Sequence, residues 1–165
     1  MLTPDVLKYI EQSVLCWLAT VDSEGWPNIS PKEVFAAYDE QYIVIADIAS
    51  PGSVVNVRQY PQVSVSFIDV FTQRGYKVRA MGRIVAPHEA EFAPMAAALA
   101  PRTAGAYTIN HIICLVPKQV EVVVAPGYQY FPEISEAERR EQTMATYGVA
   151  PRRAPADSAF SDGGD

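Results

Sequence analysis

Ser50, Gly52, Ser53 and Asn56 are spaced as the donors of an anion-binding helix start would be. Ser50-Pro51-Gly52-Ser53 follows an apolar run (Ile43, Val44, Ile45) and a polar break that opens at Asp47. Ser50 is a preferred helix N-cap, and Pro51 suits the first helical position because the N–H it lacks would have had no partner there. A helix from here to Tyr60 would turn the N–H groups of Gly52 and Ser53 outward from its positive end, beside the Ser50 and Ser53 hydroxyls. Gly52 permits close approach to the backbone, and Asn56 lies on the face of Ser53, about one turn further in. A phosphate or another anion is what such donors can hold. The same residues also make an ordinary helix start after a strand, and the local pattern leaves both readings open.

The elements around this point must position it. At 165 residues, with 49% hydrophobic and 19% charged residues, the chain suits one domain with a full core. We divide it into a domain over 1–149 and a tail over 150–165, rich in Pro, Ala, Ser, Asp and Gly. A formal net charge of -6, with the basic residues scattered, argues against a nucleic-acid surface. The Met1-Leu2-Thr3-Pro4-Asp5 opening has no basic region and no apolar core of a leader, and no apolar run is long enough to span a bilayer. Cys16 and Cys114 lie in apolar runs and read as buried free thiols of a reducing compartment, so a cytoplasmic location is expected. His88 and His111 share no ligand spacing with either cysteine and are read as structural; no metal site is expected.

In chain order, Thr3 and Pro4 start a helix with Val6, Leu7, Ile10 and Val14 at helical spacing. Residues 14–21 are strand-like, and Asp22 to Gly25 is a turn. The segment 26–35 returns as a hairpin partner whose Pro27 and Pro31 confine it to an edge or a bulge. On such an edge Lys32 either offers a charge to a ring or phosphate or merely discourages aggregation. Val63, Val65 and Phe67 alternate with serines, and Tyr76, Val78, Ala80 and Gly82 alternate with Lys77, Arg79, Met81 and Arg83. The second pattern is a strand with a basic outer face. An Ala-rich helix over 89–100 is kinked or restarted by Pro94. Strands over 107–116 and 119–124 follow, with Pro117-Lys118 as their turn. Ser135 and Glu138 have capping-box spacing ahead of a charged helix ending near Gly148. The result is a mainly β chain: a six-stranded antiparallel barrel with peripheral helices.

The order of these motifs resembles the pyridoxamine 5'-phosphate oxidase-like family of FMN-binding split β-barrels. Leu18-Ala-Thr-Val21, Ser30-Pro-Lys-Glu-Val-Phe35, Ile45 to Asn56, Tyr60 to Val65 and Tyr76 to Gly82 carry the likeness, over about residues 5–125. It implies FMN in a cleft between two subunits of a homodimer, with a small-molecule substrate. Lys32, Glu33 and Val34 would meet the flavin and its ribityl chain largely through backbone, Ala46 and Asp47 would border it, and Ser50, Gly52 and Ser53 would hold the phosphate. Asn56 would join them, and Lys77 would reach in from the partner subunit. Two departures stand out. Pro51-Gly52 replaces an Arg-Lys pair common at the phosphate helix of members that oxidise pyridoxamine phosphate. Tyr128-Gln129-Tyr130 and an acidic helix replace a basic C-terminal segment. The resemblance therefore implies an FMN-dependent oxidoreductase with a different small substrate. Alternatives are a flavin carrier without its own substrate, or a binder of a deazaflavin or haem-related ligand. A substrate pocket would be closed by Tyr128, Tyr130 or the C-terminal helix.

Overall fold

Between Lys32 and Phe35 the chain passes from one edge of its sheet to the other. The computed structural model describes residues 2–151. Its seven strands are β1 (Cys16–Val21), β2 (Pro27–Lys32), β3 (Phe35–Tyr38), β4 (Tyr42–Asp47), β5 (Gln62–Asp69), β6 (Arg74–Val85) and β7 (His111–Val124). They pair antiparallel throughout in the order β2-β1-β5-β6-β7-β4-β3. Strands β2 and β3 thus lie at opposite edges, although only Glu33 and Val34 separate them in sequence. Two residues span a short distance, so the sheet curls until its edges nearly meet. The Ala46 N–H donates to the Val34 carbonyl at 2.9 Å, extending the β3–β4 ladder by one residue into this connection. The architecture is a split barrel.

The sheet has seven strands where six were expected, and two strand assignments differ from the sequence reading. The proline-bearing segment 26–35 breaks at Glu33-Val34 into β2 and β3, because a single straight strand could not serve both edges. The expected pair over 107–116 and 119–124 is instead one strand, β7. The register with β6 slips between Arg79 and Ala80, which face Gln119 and Pro117 and leave Lys118 as the extra residue. A bulge absorbs the donor that Pro117 lacks without ending the strand.

Among the described residues five helices flank the sheet: α1 (Pro4–Gln12), α2 (Pro51–Gln59), α3 (Phe92–Thr103), α4 (Gly127–Tyr130) and α5 (Glu136–Tyr147). The Thr3 hydroxyl accepts from the Val6 N–H, and α1 buries Val6 and Ile10. Pro94 lies in the first turn of α3, where a missing N–H costs nothing. The expected capping box is present: Glu138 N–H donates to Ser135 Oγ and Ser135 N–H to Glu138 Oε2. Helix α5 buries none of its residues.

The barrel interior is filled by side chains such as Leu18, Phe35, Ile45, Val65, Phe67 and Ile113, with the Phe35 and Phe67 rings 5.4 Å apart. The other face of β4 and β7 presents Val44, Ile112 and Cys114 to Met95 and Leu99 of α3. Strand β4 and the first part of β7, through Leu115, are covered on both faces, which explains their unbroken apolar runs. Arg102 of α3 donates to the Ile10, Glu11 and Ser13 carbonyls and lies 4.1 Å over the Phe35 ring. It thereby satisfies carbonyls at the end of α1 and pins that helix across the seam.

Candidate functional site at the start of the second helix

Alternation along β2 turns its last residue, Lys32, inward, and α2 begins directly opposite. The Lys32 ammonium donates to Ser53 Oγ at 3.0 Å, with Lys32 5% and Ser53 3% exposed. The reading of Lys32 as a solvated edge charge is therefore incorrect. Burial holds its pKa below the ordinary lysine range, with the Asp47 carboxylate and then Cys16 pulling the other way. An ammonium has three N–H donors, and Ser53 is its hydrogen-bond partner among the described residues.

Ser50 occupies the N-cap position, but its hydroxyl makes no capping bond. Asp47 Oδ1 instead accepts the Ser50 N–H at 3.1 Å, and the Ser53 N–H donates to the Ser50 carbonyl at 3.1 Å. The expectation of two outward N–H groups thus holds only in part, because that of Ser53 is spent in the first turn. At Gly52 no atom lies within 4 Å of where a side chain would begin. The α2 start is open at Gly52, flanked by the Ser50 hydroxyl, and backed by a buried cation.

The other predicted residues divide clearly. Asp47 is buried and joins the cluster; its Oδ2 lies 3.2 Å from His111 Nδ1. Asn56 is buried one turn along, where its Nδ2 donates to Thr20 Oγ1 at 2.9 Å, and Asn28 donates to the same oxygen at 3.2 Å. Asn56 therefore ties α2 to β1. Val34 and Ala46 are buried and bonded to each other at the end of the β3–β4 ladder, while Glu33 is exposed on the bend between Val34 and Lys32. Lys77 keeps different company on β6, donating to Glu121 at 3.0 Å and holding that carboxyl below its usual range.

Two residues escaped the sequence reading. Thr20 looked like any alternating strand residue, and His111 was read as merely structural. Only the pairing of Asp47 with His111 across β4 and β7 reveals that the latter stands at the same barrel mouth.

Two cavities are lined by residues other than Lys32, Asp47, Ser50, Gly52 and Ser53. One of about 410 Å³ is lined by Thr20, Gln62, Ser64, Arg79 and Met81. Another of about 700 Å³ lies among Tyr9, Trp17, Val70, Phe71 and Arg140. Arg140 of α5 borders the second of these cavities. Tyr128 and Tyr130 line neither cavity: the Tyr128 hydroxyl donates to the Thr72 carbonyl at 2.9 Å, and Tyr130 is 72% exposed. Among the described residues no group of His, Cys, Asp and Glu forms a metal site, and no helix is long and apolar enough to cross a membrane.

As a test of fit, a phosphate monoester needs a cation, N–H or O–H donors and room for its oxygens. Lys32, the Ser50 and Ser53 hydroxyls and the open Gly52 provide these.

Comparison with known proteins agrees with the architecture. Solved structures with the same fold include an FMN-binding protein from Syntrophomonas wolfei (15% identity, 73% of this chain and 85% of that one, TM-score 0.63). An F420 reductase matches at 22% identity over 73% of this chain and 98% of that one, with a TM-score of 0.57. HutZ, described as the heme storage protein of Vibrio cholerae, matches at 21% identity over 74% and 94%, with a TM-score of 0.60. No functionally curated protein matches by sequence. The family model for pyridoxamine 5'-phosphate oxidase matches residues 2–126, from the first helix through the last strand of the barrel, and the chain belongs to that family.

Proposed function

We propose that the chain is a cytoplasmic, homodimeric FMN protein acting as an oxidoreductase on a small organic substrate. The observation that carries this reading is the buried Lys32 ammonium donating to Ser53 at an open helix start. A buried cation with unused donors is costly alone and favourable beside an anion. When bound, FMN would supply the electron-transfer chemistry. Lys32, Ser50, Gly52 and Ser53 would hold its phosphate, and the Glu33 bend and the end of β4 at Ala46 and Asp47 would flank the rest.

Dimerisation is supported by apolar surface that the barrel leaves uncovered: Trp17, Ile29, Val122 and Val124 are each more than 40% exposed. Lys77 would then face the partner's cofactor. The two unpaired, buried thiols suit a reducing compartment.

Titration of the ligand-free protein with FMN and with riboflavin tests the phosphate assignment. One charge-assisted hydrogen bond is worth about 1.5–3 kcal/mol, so FMN should bind roughly 10- to 100-fold more tightly. Equal affinities would overturn it. A second reading, a deazaflavin or haem-related ligand, draws support from the neighbours named F420 reductase and heme storage protein. The mass of the ligand that copurifies separates the two.

A further inference from the structure

Ser13 closes the first helix and lines the cavity of about 700 Å³. It is 6% exposed, and both of its backbone groups are engaged: its N–H donates to the Tyr9 carbonyl at 3.0 Å, and its carbonyl accepts from Arg102 at 3.0 Å. The hydroxyl remains, and among the described residues it has no hydrogen-bond partner. The fully enclosed side-chain atoms without a partner are Thr72 Oγ1 and Arg139 Nε among those residues. Ser13 Oγ is not one of them, so the small opening that Ser13 keeps is toward the cavity it lines. Water can meet the hydroxyl there, and a ligand that displaces the water must supply the same contact.

Aromatic rings stand around this hydroxyl on rigid supports. The Tyr9 ring meets Tyr76 edge-on at 5.3 Å. Phe71 is held by the Tyr147 ring at 6.2 Å and the Arg140 guanidinium at 5.9 Å, and its N–H donates to Asp69 Oδ1. Trp17 of β1 offers a third ring to the same cavity and is 46% exposed. Charge cancels at the lining, because Arg140 pairs with Asp69, whose other oxygen accepts the Phe71 and Thr72 N–H groups. Ring faces suit a flat aromatic ligand, a cancelled charge suits a neutral one, and the volume is that of a small-molecule site. Val14 and Val70, 81% and 53% exposed, stand at the rim while Ser13 is withdrawn. A flat protein surface laid on that rim would leave the hydroxyl unmet.

We propose that this cavity is a second binding site, for a neutral aromatic molecule of one or two fused rings that carries a hydroxyl or carbonyl. The rings pack against Trp17 and Phe71, and the polar substituent hydrogen-bonds to Ser13 Oγ. Lys32, Asp47, Ser50, Gly52 and Ser53 take no part in the lining, so the inference is independent of the FMN reading.

The test uses the full chain with 5-fluorotryptophan in place of its two tryptophans, and 2-naphthol as the probe. Trp26 lies in the connection between β1 and β2, outside the cavity lining, and serves as the control. In fluorine NMR the Trp17 resonance should shift saturably with 2-naphthol while that of Trp26 stays put. Ser13→Ala keeps both backbone bonds and should weaken 2-naphthol binding roughly 3- to 10-fold, leaving naphthalene, which has no hydroxyl, bound as before. The anion 2-naphthoate should bind no more tightly than 2-naphthol. An unmoved Trp17 resonance, or equal shifts of both tryptophans, overturns the proposal on the wild type alone. Unchanged 2-naphthol affinity in Ser13→Ala, or tighter binding of 2-naphthoate, overturns it as well. A Trp17 resonance that moves on dilution of the protein and not with 2-naphthol would assign the cavity to a second copy of the chain, which also overturns it. FMN uptake enters none of these readings, so the two proposals fail separately.

Discussion

Lys32 on β2 and Ser53 on α2, 21 residues apart, meet through a 3.0 Å hydrogen bond within the body of the protein. Because the sheet curls, the final residue of one edge strand comes beneath the helix that follows β4. A lysine that would be solvated on a flat sheet is instead held 5% exposed.

Replacing Lys32 by Met should separate stability from binding. The variant removes a buried charge, so the ligand-free protein should gain about 1 kcal/mol or more in denaturant unfolding. FMN affinity should fall at least about tenfold. In the wild type the pKa of Lys32 lies below its unfolded value, so the charge, and with it phosphate binding, is lost at a pH below the ordinary lysine range. The sign for stability is opposite. Between the folded and unfolded pKa values the unfolded chain binds more protons, and this residue's contribution to stability increases with pH. Binding and unfolding measured from neutral pH to pH 10.5 check both slopes.

Ser53→Asp places a carboxylate beside the Lys32 ammonium. It should form an internal ion pair where the phosphate would sit, abolishing FMN uptake while far-ultraviolet circular dichroism stays native. Retained wild-type occupancy would contradict the assignment of the anion to this helix start.

Gly82 tests how α2 is carried by the barrel. A side-chain carbon there would come within 2.8 Å of Val57 Cγ1 on α2 and 3.4 Å of Leu115 Cδ2. Gly82→Ala should destabilise the protein by about 1–3 kcal/mol and, by pushing α2 off β6, also weaken FMN binding. A thermal melt and an FMN titration on the same variant read the two effects together.

Burial pushes the Cys16 thiol up to about 12, against the opposing pull of Lys32 and Arg102. Its native alkylation should be very slow at pH 8.5 and become fast on unfolding. Because the folded pKa exceeds the unfolded one, its contribution to stability is complete below about pH 8.5 and is lost progressively as pH rises toward 12. Cys16→Ala should flatten that alkaline loss and leave FMN content unchanged.

Local chemistry made much of this legible. Thr3-Pro4, Ser50-Pro51 and Ser135 with Glu138 start helices where short-range rules put them, and alternation located the inner faces of β5 and β6. What remained hidden depends on long-range register. Nothing in the segment 26–35 says that it serves both edges, and Pro117-Lys118 reads as a turn until pairing with β6 makes it a bulge within β7. The Asp47–His111 pair joins residues 64 apart and exists only because β4 and β7 align at those positions. The exposed and buried fates of Glu33 and Lys32, adjacent in sequence, likewise follow from barrel closure.

The most direct test of the central claim is the visible absorption spectrum of the natively purified protein, with the mass of the ligand released from it. An oxidised-flavin spectrum and the mass of FMN are the predicted result. A colourless protein that fails to take up added FMN would contradict the claim.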